Sequence, residues 1–203
     1  MDQTEHYFSR QPQAPERPAR WSVRVREEEF TFLTSGGMFS RERLDNGTRL
    51  LLKEIELPDE GDFLDVGAGY GAIGIVLARL RPRARVVMVE VNERAAALAA
   101  ENAQLNRAEK AEVRVGDARE VLGDGQFDLI ATNPPIRAGK AVVVALIADA
   151  AARLRPGGSL WLVARTHQGA RSLAEVMAAH LPRVELRARG SGYRLFAGWQ
   201  DQP

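Results

Sequence analysis

From Asp62 onward a short apolar run is followed each time by a longer stretch whose apolar residues recur at helical spacing. The runs Phe63–Val66, Val86–Val91, Ala111–Val115, Phe127–Thr132 and Leu160–Ala164 predict strands. The stretches around 71–81, 93–105, 139–154 and 169–181 predict helices. Strand and helix in alternation make a parallel sheet with both faces covered. The order then changes, because Val184–Ala188 and Tyr193–Trp199 are separated by little more than the turn Gly190-Ser191-Gly192. Strands joined that closely are antiparallel. The expected fold class is α/β and Rossmann-like: a mostly parallel seven-stranded sheet with a C-terminal antiparallel hairpin. In such sheets ligands bind beyond the carboxyl ends of the strands.

The first 60 residues follow a different pattern. Pro12, Pro15 and Pro18 favour an extended arm without a core of its own. Ser22–Arg26 and Phe30–Leu33 predict a short hairpin around the acidic run Glu27–Glu29. Asp45-Asn46-Gly47-Thr48 precedes Leu50, Leu51, Leu52 and Ile55, so a helix is expected to start near Thr48 and to stop before Pro58. A chain of 203 residues has room for one sizeable core. Residues 1–60 are therefore expected to pack as arm, hairpin and helix on a domain formed by 61–203.

Composition narrows the function classes. The longest stretch without charge, Val66–Ala78, has 13 residues and is rich in glycine. A membrane span needs about 20. The N-terminus has no apolar core of a secretory signal, and the chain has no cysteine, so a cytoplasmic protein without disulfides, thiolate metal sites or a membrane partner is expected. Net charge is +1, yet residues 151–203 carry 8 arginines against 3 acids. Only Lys53, Lys110 and Lys140 are lysines, and a basic quarter built from arginine suits forked contacts to phosphate as well as ordinary surface solvation.

Candidate chemistry lies at the strand ends. After the first strand, Asp65-Val66-Gly67-Ala68-Gly69-Tyr70-Gly71 forms a turn whose bare backbone can approach a ligand, as in nucleotide-binding folds. The same glycines with Ala72 also fit a dinucleotide motif, but Asp65 two residues before Gly67 disfavours a pyrophosphate and suits a cationic amino group. A turn or capping role is the plain alternative for Asp65. Glu90 follows Gly71 by 19 residues, where an acid takes the hydroxyls of a ribose. Asn92 has capping of the next helix as its simpler task. Asp117 and the amide of Ala118 can grip an adenine, or form a turn. After the fourth strand, Asn133-Pro134-Pro135-Ile136 stiffens a loop and presents the Pro134 carbonyl as an unspent acceptor beside the Asn133 amide oxygen. Two such acceptors hold a planar NH2 group with its lone pair free, so a methyl group can be accepted without histidine or metal. His6, His167 and His180 are scattered and receive no role.

The segments LDVGAGYG, VEVN, GDA and TNPPIRAGK, in that order and spacing, resemble the class I methyltransferases that use S-adenosylmethionine, in their amine-methylating branch. TFLTSGGMFSRERLDNGTRLLL resembles the segment before the catalytic domain in the RsmC-like family, which methylates the exocyclic amine of guanine in small-subunit ribosomal RNA. The resemblance runs over roughly residues 5–199. It implies a methyltransferase domain over 61–203, with S-adenosylmethionine near Asp65, Gly67, Ala68, Gly69, Gly71, Glu90, Val91, Asp117, Ala118 and Asn133. Asn133, Pro134, Pro135 and Ile136 are implied around the target amine. Beside them, Arg137 and Lys140 are candidates to bind substrate phosphate or to form salt bridges at a helix start, and Phe39 to pack on a base or in a core or lid. The partner it implies is ribosomal RNA or the small subunit, bound by a monomer or homodimer.

Two features depart from the family pattern. Longer members carry a second N-terminal domain of similar fold, and the position after Pro135 is commonly aromatic, where this chain has Ile136. Protein-glutamine methylation, a degenerate RNA-binding module and a dehydrogenase are the competing readings. The N-terminal segment and Ile136 speak against the first, intact Asp65, Glu90 and Asn133 against the second, and Asp65 with Asn-Pro-Pro against the third.

Overall fold

The computed structural model describes residues 19–34 and 44–201, apart from the side chain of Arg137. Two strands, β1 (Ala19–Val25) and β2 (Glu28–Thr34), form an antiparallel pair, followed by α1 (Asn46–Glu54). Then come β3 (Asp62–Val66), α2 (Ala72–Leu80), β4 (Arg85–Glu90), α3 (Glu93–Leu105), β5 (Ala111–Val115), α4 (Ala118–Val121) and β6 (Phe127–Thr132). A 3-10 turn at Ile136–Ala138 leads into α5 (Lys140–Ala152), β7 (Leu154–Arg165), α6 (Ala170–Ala178), β8 (Arg183–Gly190) and β9 (Tyr193–Trp199).

The seven-stranded sheet has the order β5-β4-β3-β6-β7-β9-β8. β3 to β7 run parallel, and β9 enters antiparallel between β7 and β8. The chain moves outward from β3 through β4 to β5 and then returns to β6 on the other side of β3. That reversal is the point at which an open α/β sheet leaves a crevice. Central strands are apolar on both faces, as in Val86–Val89, because helices cover each side. One core layer joins the hairpin, α1 and α2 to the sheet through Phe30, Phe32, Leu51, Ile75 and Trp161, and the other joins α5 and α6 through Ile147, Leu160, Leu162 and Met177.

The structure differs from the sequence expectations at three places. The hairpin turn is tighter than the acidic run suggested: Arg26 adopts φ 53, and Glu28 and Glu29 already belong to β2. Arg26 then donates to the carbonyls of Leu52 (3.1 Å) and Ile55 (2.5 Å), closing the C-terminal end of α1. β7 starts at Leu154, within the span predicted as helix, because a bulge between Phe127 and Leu129 absorbs the extra residues. Gly158 permits it: a Cβ there would lie 2.9–3.2 Å from three backbone carbonyl oxygens. The short helix α4 follows Asp117, which caps it, where no helix was expected.

The hairpin is fastened by two asparagines one helical turn apart. Asn106 Oδ1 accepts from Thr31 N–H (2.9 Å) while its Nδ2 donates to the Thr31 carbonyl (2.7 Å). Asn102 does the same with Leu33, at 2.7 and 3.0 Å. Four residues of helix rise about 6 Å and two residues of strand about 6.6 Å, so successive amides on α3 meet alternate residues of β2. Asn102 Nδ2 also donates to the Tyr70 carbonyl (2.9 Å), tying the hairpin to the glycine-rich loop.

Candidate active site

A cavity of about 500 Å³ opens where β3, β4, β5 and β6 end. The loop after β3 contributes Gly67, Ala68 and Gly69, the end of β4 Glu90 and Val91, the β5 loop Asp117 and Ala118, and the β6 loop Asn133, Pro134 and Pro135. Ten of the predicted site residues thus meet on one wall system, brought there from four strands.

The loop after β3 is drawn against β4 by two amides, Gly67 (2.9 Å) and Ala68 (3.0 Å), that donate to the Val89 carbonyl. Gly67 has φ 74, and in the direction of its missing Cβ the nearest atom is Pro135 Cδ at 3.8 Å, so bare backbone faces the opposite loop across the crevice. Glu90 is buried, accepting from Gly69 N–H (2.8 Å) and Asn92 N–H (2.9 Å). Burial raises its pKa, and backbone amides, Asn92 first, pull it down. Each carboxylate oxygen keeps a further acceptor position for a cavity ligand. Asn92 itself caps α3 by accepting from the amides of Arg94 and Ala95. Asp117 is held well down, at about 2, chiefly by the Arg119 guanidinium that grips both its oxygens at 3.0 and 2.8 Å.

Two residues expected at the cofactor stand behind the wall. Asp65 has no exposed surface; its Oδ2 accepts from Gly74 N–H (2.8 Å), and its Oδ1 is buried without a hydrogen-bond partner. Burial pushes its carboxyl up to about 7. Gly71 serves packing: at φ 91 it begins α2, and a Cβ there would lie 2.8 Å from Ile75 and 3.2 Å from Ala99.

Asn133 is fixed by groups from α1. Its Nδ2 donates to Asp45 Oδ1 (3.2 Å) and Thr48 Oγ1 (3.1 Å), and all three residues line the cavity. A carboxylate only accepts, so the amide must turn its NH2 toward Asp45, which leaves Oδ1 as its acceptor. The same Asp45 oxygen accepts from the amides of Gly47 and Thr48 and caps α1. Asp45-Asn46-Gly47-Thr48 was legible as a helix start, but nothing in its spacing announces the contact with a residue 88 positions away.

The target loop also corrects the sequence reading. The Pro134 carbonyl is not unspent: it accepts from Ile136 N–H (2.8 Å) across a tight turn at Pro135 (φ −74, ψ 78), leaving one lone pair. That turn sends Ile136 into the core layer of Val143 and Ile147 rather than onto the cavity wall. Ala138, Ala141, Val142 and Leu146 supply the apolar surface instead. Lys140 is exposed at the start of α5. Tyr70 lines the cavity and packs against Phe32 and Trp21 at ring distances of 5.5 and 6.2 Å. Phe39 and the Arg137 side chain lie outside the described residues. Among the described residues no three acids or histidines are gathered as for a metal, and no helix is long and apolar enough to cross a membrane.

Residues 29–197 match the methyltransferase small domain. The chain belongs to that family. The chain is 40% identical over 192 residues to the uncharacterized protein YbxB of Bacillus subtilis strain 168, covering 94% of this chain and 96% of that protein. It is 30% identical to ribosomal RNA small subunit methyltransferase C of Pseudomonas syringae pv. syringae over 87% of this chain and 53% of that one. Among solved structures, the 16S rRNA N2 G1207 methyltransferase RsmC of T. thermophilus, in complex with AdoMet and guanosine, superposes with a TM-score of 0.81 at 30% identity. That match covers 93% of this chain and 52% of the other, so the chain spans about half the length of the ribosomal RNA methyltransferases it resembles. The protein is an RsmC-like class I methyltransferase, with the Rossmann-like fold and S-adenosylmethionine dependence of that family. Its cavity suits that cofactor: bare glycine backbone, the buried acceptor Glu90, and an orphaned Asp65 oxygen just behind the cradle fit an adenosine bearing a cationic amino acid.

Proposed function

We propose that this protein methylates the exocyclic amine of a guanine in ribosomal RNA, in the cytoplasm, using S-adenosylmethionine. The observation that carries the reading is the Asn133 amide, locked by Asp45 and Thr48 so that its oxygen is the group left for the cavity. An acceptor so held selects a ligand with an NH2 group over one that presents a carbonyl or ring nitrogen at the same place. The similarity to a structure of RsmC with guanosine, and to ribosomal RNA methyltransferases, supports guanine as the base that bears it.

When bound, the cofactor supplies an electrophilic methyl group on a sulfonium. Glu90 would hold the ribose hydroxyls, the backbone around Gly67 and Gly69 would lie along the amino-acid portion, and Asp117 with the Ala118 amide would take the adenine. Asp65 would act from behind the cradle as a positioning residue, placing Gly74 and keeping its unpartnered Oδ1 as an acceptor. Asn133 Oδ1 and the remaining lone pair of the Pro134 carbonyl accept the two amine hydrogens and point the nitrogen lone pair across the crevice. As the nitrogen becomes cationic both acceptors strengthen, and its surplus proton leaves to water. Catalysis is then orientation and electrostatic stabilisation, with no general base required.

The experiment is incubation with tritiated S-adenosylmethionine and, separately, naked ribosomal RNA, small subunits and release factors, followed by nucleoside analysis. N-methylguanosine from RNA is the expected product. Label confined to release-factor glutamine would overturn the RNA reading.

A further inference from the structure

The basic C-terminal quarter is not uniformly basic at its surface. Of its eight arginines, Arg153, Arg155, Arg171, Arg183 and Arg187 are each paired with a carboxylate. Among the described residues, Arg165, Arg189 and Arg194 have no ion-pair partner. These three are neighbours. Arg165 ends β7 opposite Tyr193, Arg194 is the next residue of β9, and Arg189 of β8 lies directly across from Arg194. Like charges set directly opposite one another in an antiparallel pair are destabilising. Among the described residues no carboxylate pairs with either of them.

The position of this cluster follows from strand register. β7 is parallel to β6, with Leu162 beside Thr132, so Arg165 extends beyond the same carboxyl edge from which Asn133 and Pro134 project. Sheet neighbours lie about 4.8 Å apart, which places the three arginines one to three strands to the side of the target loop. Arg165 points to the α1 side with Trp161 and Val163, and Arg189 and Arg194 point to the α6 side with Phe196, so the three straddle the edge. Arg165 is also held in place: its Nε donates to the Tyr193 hydroxyl (2.8 Å) and its guanidinium lies 5.1 Å from that ring. Tyr193 in turn sits against Gly47, in the first turn of α1 whose Asp45 and Thr48 hold Asn133. A positive edge is thereby connected through one ring to the acceptor of the target amine.

We propose that Arg165, Arg189 and Arg194 form a phosphate-binding edge that holds the RNA backbone flanking the target nucleotide. This inference rests on the RNA reading above and adds the direction in which the strand leaves the site, across β7, β9 and β8. A polyanion lying over the edge neutralises the Arg189–Arg194 repulsion, which gives the unfavourable pairing a purpose. Because the contacts are to phosphate, the edge contributes affinity and orientation, and base choice stays with the cavity.

The test uses the full chain and transcribed small-subunit ribosomal RNA, with binding measured across a salt series. Each phosphate contact removed lowers the slope of log affinity against log salt by about 0.7 for a single strand. R165A and the R189A/R194A pair are expected to flatten the slope by one and two such steps, and R171A, which removes an exposed, ion-paired charge from α6, is expected to leave it unchanged. R189A/R194A is also expected to unfold at an unchanged or higher temperature, because it removes a repulsion; a fall would assign the pair to the fold. Methylation of free guanosine, which has no phosphate, is expected to be the same in R189A/R194A and wild type. Unchanged slopes in both variants, with wild type binding RNA tightly, would overturn the phosphate edge and leave the RNA reading intact. Failure of wild type to bind or methylate any RNA would overturn both, and selective binding of an acidic protein would reassign the edge to that partner.

Discussion

Asp65 shows how much one buried carboxyl can ask of its surroundings. With one oxygen on Gly74 N–H and the other unpartnered, burial moves its pKa from 3.8 to about 7. The folded state therefore holds a proton there that the unfolded chain releases near pH 4. The stabilising contribution is complete below that pH, declines as pH rises and is gone above about pH 7. Asp65→Asn keeps an acceptor for Gly74 and cannot ionise. In urea unfolding of the cofactor-free protein, the variant is expected to match wild type near pH 4 and to exceed it by at most about 4 kcal/mol at pH 8. A variant less stable than wild type at pH 8 would contradict this account. Asn133 makes the complementary point: its role depends on which end of an amide faces the ligand, and that is decided by Asp45, a residue that the sequence displays only as a helix cap.

Between elements, the decisive contacts are polar and connect parts far apart in sequence. The alternation of apolar runs is enough to read the strands of the parallel sheet and the closing hairpin: central strands buried on both faces leave an uninterrupted apolar signature, and the edge strands β5 and β8 still interleave apolar with charged residues. It does not reveal Asn102 and Asn106, since a polar residue on a helix normally marks the solvent side, whereas both are buried against β2. It also misses the start of β7, where Gly157 and Gly158 look like a loop but form a bulge inside the strand. Asn102→Ala leaves the Leu33 N–H and two carbonyls without their partner. The expected cost is about 2–4 kcal/mol in urea unfolding, with exposure of the Trp21–Phe32–Tyr70 cluster read by tryptophan fluorescence. No loss of stability would mean that the aromatic contacts alone hold the hairpin.

At the scale of the whole molecule, four loops from parallel strands make the cavity, and the N-terminal elements complete it. The glycine loop, Glu90, Asp117 and Asn-Pro-Pro were all legible, because each sits at a strand end where fold and chemistry coincide. Ile136 and Gly71 were not, because spacing along a motif does not say which way a backbone turn sends a side chain. Asp45 and Thr48 were missed for the converse reason: they reach the site from α1, outside the repeating pattern. The N-terminal segment is thereby joined to the proposed acceptor of the target amine through one amide. The most direct test is Asn133→Ala, with S-adenosylmethionine affinity measured by calorimetry and single-turnover methyl transfer to ribosomal RNA measured in parallel. The expected result is cofactor affinity within about threefold of wild type and a transfer rate lower by about 10²–10³. Transfer at the wild-type rate, with cofactor bound normally, would show that the amine is not held by Asn133.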